Sequence, residues 1–144
     1  MEKRQPGERS DYRYFLTITT RWMDNDIYGH INNVQYYSYF DTVINRFLID
    51  RGVLDIHDGE VIGLAVESHC NYFSSAAFPA DIESGIRVAH LGRSSVRYEI
   101  GLFVEGREWA IAQGHFVHVY VDRVENQPVN LSDDLRAALA TLVA

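Results

Sequence analysis

The sequence predicts an α+β fold, with an antiparallel sheet wrapped around one long central helix. Residues 33–50 carry apolar side chains at 36, 40, 43 and 47 and again at 34, 37, 44 and 48, two stripes at helical spacing that cover most of a helix circumference. From residue 62 onward the apolar period drops to two, the spacing of strands. No helical segment separates these strands, so the pattern excludes alternating βαβ units and leaves strands that pair antiparallel.

The first strand is read over residues 12–22, where Tyr14, Leu16, Ile18 and Trp22 alternate among β-branched and aromatic neighbours. The helix follows from about Asn33 to Asp50, with Arg51-Gly52 as its stop. Being apolar on nearly all sides, it is expected to be enclosed by the rest of the fold rather than laid on a surface. The next strand places Ile62, Leu64, Val66, Cys70 and Tyr72 on one face and Glu67, His69 and Asn71 on the other. Ile82 to Leu91 forms a further strand, bounded by Phe78-Pro79-Ala80-Asp81 and by Gly92. Val96, Tyr98, Ile100, Leu102 and Val104 then alternate against Arg97 and Glu99. The stretch from Trp109 to Val121 is apolar on both faces and reads as a central strand, joined to its predecessor by a hairpin at Glu105-Gly106-Arg107. After Pro128, Ser132 caps a short terminal helix through Leu142. One sheet face is left needing cover, which in so small a protein suggests association through it.

The length of 144 residues suits one domain, read here as residues 11–144 behind a polar, flexible N-terminal tail at residues 1–10. Hydrophobic residues make up 47% of the chain and charged ones 23%, which excludes a disordered class. A net charge of −7 without a basic tail argues against nucleic-acid or anionic-membrane partners, since both require Lys and Arg to neutralise phosphate. Cys70 is the single cysteine, so an intramolecular disulfide is excluded and a reducing cytoplasm fits best. The N-terminus lacks the apolar core of a signal peptide, and no apolar run is long enough to span a bilayer.

Chemistry concentrates in Asp24-Asn25-Asp26-Ile27-Tyr28-Gly29-His30-Ile31-Asn32-Asn33, which puts carboxylates in a glycine turn directly before the long helix. A helix N-terminus offers unpaired N–H groups and the positive end of the dipole, so one turn can hold both an attacking oxygen and a stabiliser for negative charge. The competing structural reading of Asp26 is a turn or capping aspartate. Asp24 fits a structural role bonding turn N–H groups, and His30 and Asn32 fit holding the turn and the helix start. Asp41, a charge on a largely buried helix, is expected to be paired and is the alternative catalytic carboxylate. A calcium loop at Asp24-x-Asp26 is excluded by Tyr28 and Gln35 at its fifth and twelfth positions. His115 and His118 fall on opposite strand faces and cannot chelate together, so no metal is expected.

The string Arg21-Trp22-Met23-Asp24-Asn25-Asp26-Ile27-Tyr28-Gly29-His30-Ile31-Asn32-Asn33-Val34-Gln35-Tyr36 closely resembles the opening motif of hotdog-fold acyl-CoA thioesterases of the 4-hydroxybenzoyl-CoA thioesterase type. Phe78-Pro79-Ala80-Asp81 and Leu91-Gly92-Arg93-Ser94-Ser95 resemble that family's later landmarks, and the likeness runs from about Tyr12 to Pro128. The resemblance implies a hotdog fold, a homodimer or homotetramer, and an active site at the subunit boundary. It also implies that Asp26 is the catalytic carboxylate and that the backbone N–H at about Asn33 polarises the thioester carbonyl. The substrate is then an acyl-CoA, with coenzyme A as part of the substrate and no other cofactor. Its phosphates should meet Arg93 with Ser94 and Ser95, or less directly Arg87 and Arg97, and Tyr28 and Tyr36 are candidates for the acyl pocket. The alternatives are a non-catalytic subunit that binds acyl thioesters and a hotdog hydratase or dehydratase. The acyl group, the choice between coenzyme A and acyl carrier protein, and the role of Asp26 as nucleophile or general base stay open.

Overall fold

Asn32 starts the long helix: its side-chain oxygen accepts from the Val34 N–H at 3.0 Å and ends the extended backbone before it. In the computed structural model, which describes residues 5–143, helix α1 spans Asn33–Asp50. Its buried face is Tyr36, Tyr39, Phe40, Val43, Ile44, Phe47 and Leu48. The enclosure is one-sided within a chain, because a single sheet can cover only one side of a helix. Val34 remains 66% exposed, and Ser38, Asp41, Thr42 and Arg46 share the open side. Asn32→Ala should cost about 1 kcal/mol by removing the cap, a loss readable as a lower midpoint in urea with an unchanged slope.

Around the helix lie β1 (Tyr14–Ile18), β2 (Val61–Tyr72), β3 (Ile82–Leu91), β4 (Ser95–Val104) and β5 (Ala112–Asp122). They form one five-stranded sheet in the order β1-β3-β4-β5-β2, antiparallel at every pairing. This is the α+β hotdog arrangement. β5 is interior, pairing with β4 and β2. The last helix, α2 (Asp133–Ala140), begins where Ser132 accepts from the Leu135 N–H at 3.1 Å, and Leu135 and Leu139 seal the end of the core.

Two sequence expectations shift. The first strand ends at Ile18 rather than Trp22, because the Asp24 side chain accepts from the Arg21 N–H at 2.9 Å and folds Trp22–Asp24 into a single 3₁₀ turn. Trp22 is therefore 79% exposed. In β2 a bulge between Ala65 and Glu67 interrupts the period of two, so Ile62 and Leu64 share the outer face with Glu67, His69 and Asn71 while Cys70 and Tyr72 face the helix.

The outer sheet face is partly covered by the chain's own N-terminal segment. Tyr12 lies flush on Gly101, where a Cβ would come within 2.6 Å of its ring, and Tyr12 packs edge-on against Phe103. Of the segment 1–10 expected to be a flexible tail, residues 1–4 lie outside the described residues. Residues 5–10 are tied down: Gly7 N–H donates to Gln113 Oε1 at 2.8 Å, and the Arg9 guanidinium pairs with Glu83 at 2.9 Å. Elsewhere this face carries Arg87, Arg97, Glu99, His115 and Glu67 in one chain of ion pairs and hydrogen bonds, with the apolar Ile62 and Leu64 of β2 toward its edge. Among the described residues, no helix is long and apolar enough to cross a membrane.

Candidate active site

The carboxylate turn is held from below by Asp24. This side chain is 1% exposed and accepts from the Arg21 N–H, from the Arg21 guanidinium and, at 2.8 Å, from the Tyr39 hydroxyl of α1. Burial alone would raise its carboxyl, but the bonds from the Arg21 main chain, Tyr39 and the Arg21 side chain outweigh it and hold Asp24 below its ordinary range. The Asp24 carbonyl also accepts from the Asn32 N–H at 2.8 Å, which fixes the cap of α1 to the turn. Phe78-Pro79-Ala80 closes the other side: the Phe78 N–H donates to Asn25 Oδ1 at 3.0 Å, and Thr20 Oγ1 donates to the Ala80 carbonyl at 2.7 Å.

Asp26 sits on this platform, half-buried. One carboxylate oxygen, Oδ1, accepts from the Tyr28 N–H at 2.9 Å and from the His30 N–H at 3.4 Å. Gly29 turns the chain at φ +78, a backbone angle that favours glycine, and brings the His30 carbonyl within 2.8 Å of the Asp26 N–H. Among the described residues, Oδ2 accepts no hydrogen bond, and the N–H of Asn33, the first residue of α1, donates none. One carboxylate oxygen of Asp26 and the N–H at the start of α1 are thus both left without a hydrogen-bond partner among the described residues.

Asp26 and Asn33 both line one open cavity of about 360 Å³. Tyr36 and the His30 ring share its wall, and Tyr72, Phe73, Ser74 and Ser75 close the far side from the end of β2. Tyr72 packs against Tyr36 with ring centres 5.2 Å apart and donates to the Asn33 carbonyl at 3.4 Å. The loop after β2 is brought here by main-chain bonds: the Phe73 and Ser74 N–H groups donate to the Ile111 carbonyl, and the Ile31 N–H donates to the Ala76 carbonyl at 2.8 Å. Behind this wall, burial pushes the Cys70 thiol up to about 11, which disfavours the reactive thiolate.

A profile of the thioesterase-like superfamily matches residues 20–139, which takes in the turn, the cavity and all of the sheet beyond β1. The chain belongs to the thioesterase-like superfamily. Membership carries thioester hydrolysis as the reaction class. Its structure is similar to the crystal structure of the PA5185 protein of Pseudomonas aeruginosa strain PAO1, at 56% identity and a TM-score of 0.95, with 98% of each chain covered. It also shares its fold with the DHNA-CoA thioesterase of Staphylococcus aureus, at 20% identity and a TM-score of 0.79 over 88% of this chain and 87% of that one. The uncharacterized protein YsmA of Bacillus subtilis (strain 168) is 20% identical over 132 residues, 91% of this chain and 88% of its own.

Within this superfamily member, the candidates named from sequence separate into three groups. Asp26, Asn33 and Tyr36 meet at the cavity. Tyr28 does not: it is 82% exposed, because the turn that presents Asp26 inward points the next side chains out. Asp41 lies on the open side of α1, exposed, with Oδ1 accepting from Asn45 at 3.1 Å.

Arg93, Ser94 and Ser95 stand at the opposite end of the sheet. Ser95 pairs with Val119 and Tyr72 with Ala112, so the two sites are separated along β5 by roughly 23 Å at the usual strand rise. The Ser94 and Ser95 carbonyls are used by the Tyr120 and Gly92 N–H groups. Arg87 is committed to Glu99 at 2.8 Å, and Arg97 lies 3.7 Å from the same carboxylate. His115 faces outward to Glu67 while His118 is buried against Tyr98, as their odd spacing requires.

Proposed function

We propose that the chain hydrolyses acyl-CoA thioesters to the free carboxylic acid and coenzyme A, with Asp26 as nucleophile or general base. The observation that carries this reading is that Asp26, with one carboxylate oxygen free, and Asn33, with its N–H free, line the same cavity. In the nucleophilic route the free oxygen attacks the acyl carbon, the carbonyl π electrons move to its oxygen, and collapse expels the CoA thiolate to leave a mixed anhydride, which water then splits. In the general-base route Asp26 removes a proton from water, and the hydroxide oxygen makes the same attack. Both routes place negative charge on the carbonyl oxygen, and the Asn33 N–H at the positive end of α1 stabilises it by roughly 3–4 kcal/mol if well aimed. The thiolate is a good leaving group, so neither route needs a dedicated acid or any cofactor beyond the substrate's own coenzyme A.

The working unit in this proposal is a homodimer or a pair of dimers joined along β2. Among the described residues this twelve-residue edge strand pairs with β5 alone and leaves Leu64 40% and Val66 60% exposed, a ready template for a second copy. A two-fold pairing there also brings the far end of the partner's sheet, with its Arg93 turn, toward the Asp26 cavity. Charged side chains oppose edge pairing, so Leu64→Lys with Val66→Lys should shift the protein to monomer in sedimentation and lower turnover with it.

A panel of aryl, short aliphatic and long aliphatic acyl-CoAs tests the reading directly. The expected result is release of thiol and free acid in equal amounts. Saturable binding without turnover, or hydration that leaves the thioester intact, would overturn it.

A further inference from the structure

A second groove, of about 480 Å³, lies against the first and shares Phe73 and Ser74 with it. Each is within the size range of small-molecule sites. The new groove is walled by Phe73, Trp109, Ile111 and Pro6. Its walls are held by main chain: the Phe73 and Ser74 N–H groups donate to the Ile111 carbonyl at 2.8 and 3.1 Å, and the Ala110 N–H donates to the Gly7 carbonyl at 2.9 Å, which sets Pro6 opposite. Trp109 is 54% exposed here, a large apolar surface left open on a concave wall.

We propose that this groove takes the apolar tail of the acyl group, so that the preferred substrates are acyl-CoAs whose acyl part is a hydrocarbon chain of several carbons. The inference rests on the acyl-CoA reading above. Phe73 and Ser74 line both the cavity that holds Asp26 and Asn33 and the groove that holds Trp109, so an acyl tail that leaves the first along these two residues enters the second. The other end of the substrate fits less well. The pantetheine arm carries two amides, whose N–H and C=O groups would give up water against Phe73, Trp109 and Ile111 for little beyond the Ser74 hydroxyl in return. Arg107 and Glu108 stand together at the rim with opposite charges, so the groove has no net attraction for phosphates.

Each methylene withdrawn from water is worth about fourfold in binding, so kcat/KM should climb from acetyl- through butanoyl- and hexanoyl- to octanoyl-CoA. Trp109→Ala should lower the octanoyl-to-acetyl ratio of kcat/KM by about tenfold or more, mainly through KM, and Trp109→Phe should restore most of it. An unchanged ratio overturns the proposal. So does an equal fall for every chain length, the signature of a pantetheine site. Binding of non-hydrolysable S-alkyl-CoA thioethers, followed by calorimetry, reads the groove without turnover. Affinity that rises with alkyl length in the unaltered protein and loses that dependence in Trp109→Ala supports the groove even if no thioester is hydrolysed. Affinity indifferent to length overturns it even if hydrolysis is fast.

Discussion

Asp26→Asn is expected to lower kcat for acyl-CoA hydrolysis by roughly 10³-fold while leaving the fold intact. The amide keeps an Oδ1 that can still accept from the Tyr28 and His30 N–H groups, so the turn holds its shape. What disappears is the negative charge on the free oxygen, and with it both a nucleophile and a base. KM should move far less than kcat, because no part of the ligand depends on that charge for ground-state binding. Asp26→Ala removes the turn bonds as well, so it should match the loss of rate and add a modest loss of stability. Circular dichroism and a thermal melt on each variant separate the two effects. Full activity in folded Asp26→Asn would transfer the chemistry elsewhere, and Asp41 on the open helix face would be the next carboxylate to test.

The legible part of this molecule is the part whose partners lie close in sequence. Asp26, the Asn32 cap and Asn33 fall within eight residues, so the turn and the helix start could be read together, and α1 keeps its expected bounds because a cap and a long apolar pattern agree. The far wall of the cavity was not legible. Tyr72, Phe73, Ser74 and Ser75 lie well over forty residues downstream and are brought to the site by long-range contacts, the bonds to Ile111 and Ala76 and the packing of Tyr72 on Tyr36, which leave no local pattern. Tyr72 offered the one available signal, an aromatic on the helix-facing side at the end of β2. The bulge near Val66 was equally invisible, since an inserted residue preserves composition while it swaps faces for everything upstream. Arg93 shows a third limit: a motif can mark a residue, but strand register decides which end of the sheet it occupies, and a single chain holds it far from the carboxylate turn.

Asp24, two residues before Asp26, should instead dominate stability. Asp24→Ala strands the hydroxyl of Tyr39, itself only 4% exposed, and frees the Arg21 N–H that shapes the 3₁₀ turn. Two polar groups losing a charged acceptor, one of them deeply buried, should cost about 3 kcal/mol, or roughly 10 °C in Tm. The exposed Arg21 guanidinium adds little, since water replaces its partner. The pH dependence carries the decisive sign. Bonds from Arg21 and Tyr39 depress the carboxyl of folded Asp24, so its contribution is fully present above the ordinary carboxylate range and is lost as pH falls through the folded value. The stability gap between the unaltered protein and Asp24→Asn should therefore stay constant from pH 7 to about 5 and shrink below about 4. Urea melts at fixed protomer concentration across that range measure it, and a gap that widens on acidification would mean that Asp24 is protonated in the folded chain and its bonds have been misassigned.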